Sequence, residues 1–167
     1  ERSHPWRDPR YGAEMIDALA RWGDGLPANV LPIQVNEITQ IGLEAIAGAF
    51  AYGAAAVRFL LRAKPRHDMS GLYRTISLAQ PILAGLGFAG TRVAAIETDD
   101  PDALGEHLYV LETMDGVAKP ATFAAVGQKR EVMRLALREL HGAAPTPVDV
   151  IALPEGAPVG TVEVRTE

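Results

Sequence analysis

Cysteine is absent from all 167 residues, which excludes disulfide bonds and thiolate-held zinc or iron–sulfur clusters within the chain. Any such cluster must be ligated by residues outside this sequence. A surplus of positive charge is missing as well. The 16 Lys and Arg against 21 Asp and Glu leave a net charge of -5, so no overall field draws in nucleic acid or an anionic membrane surface. Nor is there an unbroken apolar run of membrane-spanning length. The longest stretch, Ile41 to Phe59, is interrupted by Glu44 and Arg58 and broken at Gly42, Gly48 and Gly53. The first ten residues are polar and contain proline, unlike the basic start and apolar run of a secretory leader, so a soluble, cytoplasmic protein is expected. No Gly-x-Ser-x-Gly elbow occurs, and Ser70, Ser77 and His67 form no recognised nucleophile motif. Hydrolase chemistry has no foothold, no catalytic residue is assigned, and neither an internal repeat nor a low-complexity segment is found.

What is present is a 48% hydrophobic composition, enough for the core of one domain without a covalent staple. The expected organisation is a tail at 1–10, a single α/β domain at 11–153, and an exit strand or linker at 154–167. Within the domain, 11–117 is the core and 118–153 an appended strand–helix–strand. Glu1 is not a natural initiator and the chain stops within an expected strand, so it is read as a piece of a longer protein.

Periodicity suggests the elements. Met15, Ile16, Leu19 and Trp22 fall at helical spacing in Tyr11 to Trp22. Asn29 to Val35 is a short run of branched residues, with Pro32 placing it at a sheet edge or strand start. Thr39 to Tyr52 is apolar around most of its circumference and ends at Gly53, as a doubly buried helix would. Ala55 to Leu61 has the length of a central parallel strand. Leu72 to Leu86 is a further helix with Pro81 inside it, and Arg92 to Thr98 a third strand. Asp100 followed by Pro101 opens a helix reaching about Met114. Ala121 to Val126, Lys129 to His141 and Val148 to Leu153 then read as strand, helix and strand. This alternation predicts a mostly parallel sheet with helices on both faces, a flavodoxin-like or Rossmann-like three-layer sandwich.

Open sheets of that class bind ligands at the carboxyl ends of their strands. The residues placed at that rim are Asn36, Arg62, Lys64, Arg66, His67 and Asp99, and they form the candidate small-molecule or anion site. The simpler account of the loop is a solvated basic surface with His67 paired to Asp68. Glu97, Asp99, Asp100 and Asp102 supply enough oxygens to attract a hard cation, but helix capping explains most of them and no metal site is assigned. Gly85, Gly87 and Gly90 match the spacing of a dinucleotide fingerprint but follow a helix instead of a strand, so they are read as a helix stop and turn. Arg130, Arg134 and Arg138 recur every fourth residue and line one helix face. Such a stripe keeps a helix wet, or docks an acidic electron-transfer partner.

Three stretches carry a family likeness: Leu26 to Glu37 (Leu-Pro-Ala-Asn-Val-Leu-Pro-Ile-Gln-Val-Asn-Glu), Gly42 to Ile46 (Gly-Leu-Glu-Ala-Ile) and Ala51 to Val57 (Ala-Tyr-Gly-Ala-Ala-Ala-Val). Over about Gly12 to Met114 the chain resembles the delta subunit of methyl-viologen-reducing hydrogenase, an iron–sulfur electron-transfer component. In that family one strand ends at a cysteine, and a later one ends in a Gly-Cys-His-Pro-Gly-like loop. Here the corresponding positions read Val35-Asn36 and Leu61 to His67, without the ligands. Lys129 to Leu140 and Leu153 to Gly160 are similar to the segment that leads into a two-cluster ferredoxin module in bacterial 4Fe–4S proteins. The resemblance implies a non-catalytic docking or scaffold domain with no cofactor of its own. The 4Fe–4S clusters would lie elsewhere in the parent protein, and the partner would be a redox protein or a neighbouring ferredoxin module. A homodimerisation domain is the remaining alternative.

Overall fold

A computed structural model of the chain describes residues 11–65, 67–154 and 157. The expected tail at 1–10 and, apart from residues 154 and 157, the expected exit strand or linker at 154–167 lie outside these residues. Helix α1 (Tyr11–Trp22) leads through an irregular segment and a single tight turn at Ile38–Gln40 into α2 (Leu43–Ala51). Strand β1 (Val57–Leu61), helix α3 (Ser70–Gly85) and strand β2 (Val93–Glu97) follow, then α4 (Pro101–Tyr109) and α5 (Lys129–Gly142). The strands pair in parallel, Val57 opposite Val93 through Leu61 opposite Glu97, with α3 as the crossover.

The three-layer sandwich is therefore not the fold. The described residues contain five helices and a sheet of only two strands. Asn29–Val35, Ala121–Val126 and Val148–Leu153, each expected to be a strand, form none. Their backbone groups explain two of the three. The Ala121 amide donates to the Ala51 carbonyl at 2.8 Å, and the Val148 amide to the Gly85 carbonyl at 3.0 Å. Both acceptors are terminal helix carbonyls that have no partner within their own helix, so these apolar runs close helix ends instead of extending a ladder. In the third segment Pro32 lacks a donor, and Leu31 and Ile33 are 82% and 76% exposed. Short apolar runs of this length do not distinguish a buried strand from a packed loop by periodicity.

Side-chain alternation on the two strands builds two cores. Phe59, Leu61 and Val93 face a large cluster with Ile46 and Phe50 of α2, Leu72 and Leu83 of α3, and Met133 and Leu140 of α5. Ile96 turns the other way, joining Met15 and Leu19 of α1 and Leu104 and Leu108 of α4. Helices thus cover both faces of a ribbon rather than of a sheet.

The amino ends of the strands are tied by a buried cation. Arg92, 7% exposed, donates from Nε to the Ala89 carbonyl at 2.7 Å and from Nη1 to the Ala55 and Asp115 carbonyls at 2.9 and 2.7 Å. Its guanidinium also lies 5.6 Å from the Phe88 ring centre. Arg58 donates to the Arg92 and Thr91 carbonyls at 2.9 and 2.8 Å, and burial pulls its pKa below the ordinary arginine value. The Gln80 side chain closes the knot, accepting from the Arg92 amide at 3.1 Å and donating to the Gly90 carbonyl at 2.7 Å. Gly87 and Gly90, at φ of +91° and +81°, make the turn between α3 and this knot.

Replacing Arg92 with Met removes a charged donor and strands its carbonyl acceptors, so urea denaturation should show a loss of about 3 kcal/mol or more. Arg92→Lys should recover only part, since one ammonium cannot span all three acceptors. An unchanged urea midpoint for Arg92→Met would show that the knot does not hold the strands.

Candidate functional site

The carboxyl rim of the ribbon is formed by the ends of β1 and β2 and by the loops that follow them. Tyr11, the first residue of α1, reaches across this rim. Its hydroxyl donates to the Thr98 carbonyl in a short contact, with the Leu61 carbonyl 3.4 Å away. The Arg62 guanidinium carbon stacks 4.4 Å above the Tyr11 ring centre. Burial, followed by the Asp99 carboxylate, raises the phenol from the usual 10.0 to about 12, against the opposing pull of Arg62. Two of the expected site residues, Arg62 and Asp99, are thereby brought together around a phenol that the sequence reading had assigned only to a helix start.

The other expected rim residues are placed differently. Asn36 and Lys64 are exposed, and Arg66 lies outside the described residues. Glu37 accepts from the Thr39 hydroxyl and amide at 2.8 and 3.2 Å. These bonds, with the nearby His67 adding a smaller pull, hold its carboxyl below the usual range. His67 thus stands within electrostatic reach of Glu37. The Asp68 carboxylate accepts from the Ser70 amide and hydroxyl, each at 2.8 Å, and these bonds lower the Asp68 pKa.

The acidic crowd resolves in the same way. Glu97 accepts the Tyr73 hydroxyl in a short contact that raises the Tyr73 pKa. Asp100 accepts from the Asp102 amide at 3.0 Å and caps α4, with Pro101 in its first turn. Among the described residues no group of three or more His, Asp and Glu could hold a metal ion. Arg62 and the Asp99 carboxylate flank Tyr11 at the rim, and Tyr11 engages the strand-end carbonyls. Such an arrangement can lock a helix in place.

A groove of about 220 Å³ lies elsewhere, toward the far end of α3. Leu78 and Ile82 of α3 with Leu86 just after it form one wall, and Met133, Leu137 and His141 of α5 the other. Ile151 and Leu153, from one of the runs expected to be a strand, close a side. They approach so closely that a Cβ on Gly85 would meet Ile151 at 2.7 Å. The fingerprint-like glycines therefore serve a turn and a close chain approach. The groove has no local signal in the sequence because its lining comes from four separated segments, Leu43 of α2 included, each of which looks like ordinary core.

Arg130, Arg134 and Arg138 are exposed on α5, with Arg138 contacting its neighbour Glu139 at 3.2 Å. The helix itself is pinned by Lys129, which reaches Glu44 at 3.2 Å and the Gln40 carbonyl at 2.8 Å. Among the described residues no helix is long and apolar enough to cross a membrane. No family model, curated protein or solved structure matches the chain.

The Tyr11 geometry predicts a titration. The fold holds the protonated phenol, so its stabilisation is complete below pH 10.0 and is lost as pH rises toward about 12. Of the four tyrosines, one should ionise near the top of that window in a tyrosinate absorbance titration, and Tyr11→Phe should abolish that phase. Loss of the phase in Tyr73→Phe instead would reassign it.

Proposed function

We infer that the chain is a non-catalytic docking domain of a 4Fe–4S electron-transfer protein, presenting a redox partner or a neighbouring ferredoxin module to its reaction partner. The likeness to the hydrogenase delta subunit in Leu26 to Val57 is the sequence support. The clusters belong to the parent protein or the partner, because these residues contain no cysteine. A cytoplasmic location goes with this reading.

One observation carries the docking role. In a chain of net charge -5, Arg130, Arg134 and Arg138 form a positive row, broken by the Glu139 contact to Arg138 and by Glu131 in the first turn, on the exposed face of a helix whose opposite face is buried through Met133, Ala136 and Leu140. A local field of opposite sign to the whole molecule steers an acidic partner to one face and sets its orientation. The rim reading rests on position, with Tyr11 engaging the strand ends and Glu37 and Glu97 bonded to Thr39 and Tyr73.

The test is calorimetric titration with an acidic two-cluster ferredoxin. Wild-type affinity should fall steeply with added salt, and R130E/R134E/R138E should weaken binding roughly tenfold or more while flattening the salt dependence. Equal affinity and equal salt dependence in the charge-reversed protein would remove the α5 row from the docking surface.

A further inference from the structure

The arginine row and the apolar groove share one helix wall. Met133, Leu137 and His141 recur every fourth residue on the groove side of α5, and Arg130, Arg134 and Arg138 recur at the same spacing. Arg134 directly follows Met133 and Arg138 directly follows Leu137, so each arginine sits about 100° around the helix from a groove residue. Burial grades in the same direction. Ala136, Leu140 and Met133 are buried, Leu137 is partly buried, and His141, Arg134 and Arg138 are exposed. The cations therefore run along the solvent-side lip of the groove.

The opposite wall has the same repeat. Leu78 and Ile82 of α3 and Leu86 just after it are also spaced by four and only slightly exposed, so these residues and α5 line a trough about 12 Å long whose lining Leu43, Ile151, Leu153 and Ala157 complete. Its volume of about 220 Å³ exceeds what a single benzene-sized guest needs, yet falls short of the ~300 Å³ at which drug-sized ligand sites begin. Aliphatic side-chain anchors delivered by a larger partner suit that space.

We propose that this trough docks an acidic amphipathic helix of a partner protein, its aliphatic residues seated between α3 and α5 and its carboxylates facing the arginine row. A third helix laid along the trough repeats every turn, as both walls do, and brings glutamates at i, i+4 and i+8 opposite arginines at the same rise. The inference rests on the docking role above and identifies the partner element that fills it. Apolar anchoring supplies affinity and the arginine row supplies orientation, so both must be present in one ligand.

The probe is a fluorescent synthetic peptide of about four helical turns, with leucine at i, i+4 and i+7 and glutamate on the remaining surface. Its binding to the full chain is read by anisotropy and mapped by amide NMR shifts. Wild type should bind it and show shifts at Leu78, Ile82 and Leu137. A scrambled peptide of identical composition should bind about tenfold more weakly, and a lysine-for-glutamate version should not compete. Arg134→Glu, an exposed change, should cost about tenfold without altering the circular dichroism spectrum. Leu137→Glu should abolish binding, and Arg134→Glu keeps the test valid if that variant fails to fold.

Equal affinity for the scrambled peptide would reduce the interaction to charge alone and overturn the proposal. So would shifts confined to α1 and α4, tighter occupancy of the trough by decanoate than by the peptide, or a concentration-dependent dimer that the peptide dissociates. If the peptide fails while the acidic ferredoxin still binds in a salt-dependent manner, the helix-in-trough proposal falls and the docking role stands. If the ferredoxin fails as well, both fall.

Discussion

A single buried guanidinium holds the start of both strands. Arg92 gathers the carbonyls of Ala55, Ala89 and Asp115, which come from the α2–β1 connection, the α3–β2 connection and the long segment before α5. No other group in the described structure is seen to join these three chain segments at once. A cation this enclosed requires nearly full hydrogen bonding to be tolerated, and backbone carbonyls provide it without placing a second charge in the interior. Because Arg58 and Gln80 fasten the same turn from the neighbouring strand and helix, the parallel register of Val57 opposite Val93 follows from this knot as much as from the ladder itself.

With only two short strands, the ribbon cannot organise the domain alone; a sheet that small needs packing on its faces. The helices supply it unequally. On one side α2, α3 and α5 build the larger core, with α2 and α5 in the most extensive contact of any pair of elements. On the other side α1 and α4 form a smaller cluster around Ile96. Tyr11 links that smaller layer to the strand ends through the Thr98 carbonyl, so the rim that would be a ligand crevice in an open sheet serves here as the attachment point of α1.

The division of labour at the surface follows from that arrangement. The rim carries mixed charge whose members are occupied with one another or with helix starts: Asp68 with Ser70, Glu97 with Tyr73, Asp100 with Asp102. The α5 side carries three arginines beside apolar side chains, with Glu139 contacting Arg138 and Glu131 exposed in the first turn. Opposite charges in mutual contact screen one another and exert little pull at a distance, whereas a mainly positive row beside apolar side chains can combine steering with anchoring. The proposed docking surface on α5 is motivated by this contrast.

Much of the helical content was legible from the residues. The apolar spacing of Met15 and Leu19, the Asp100-Pro101 opening and the four-residue arginine repeat each specify a helix or a helix face through local stereochemistry, and α1, α4 and α5 lie where those signals place them. The expected long helix from Thr39 is shorter, beginning at Leu43 after a separate turn, and the one expected to reach Met114 stops at Tyr109. The two central strands also stand close to their expected positions. The other three apolar runs were not decidable, because whether Val148 or Ala121 joins a ladder depends on which carbonyl in the folded chain lacks a partner. The composition of the chain determined that no thiolate chemistry takes place within it and that its net charge is negative. Tertiary structure alone decided that Tyr11 would meet Arg62 and Asp99, and that the arginine row would border a groove, since both depend on distances between residues far apart in the chain.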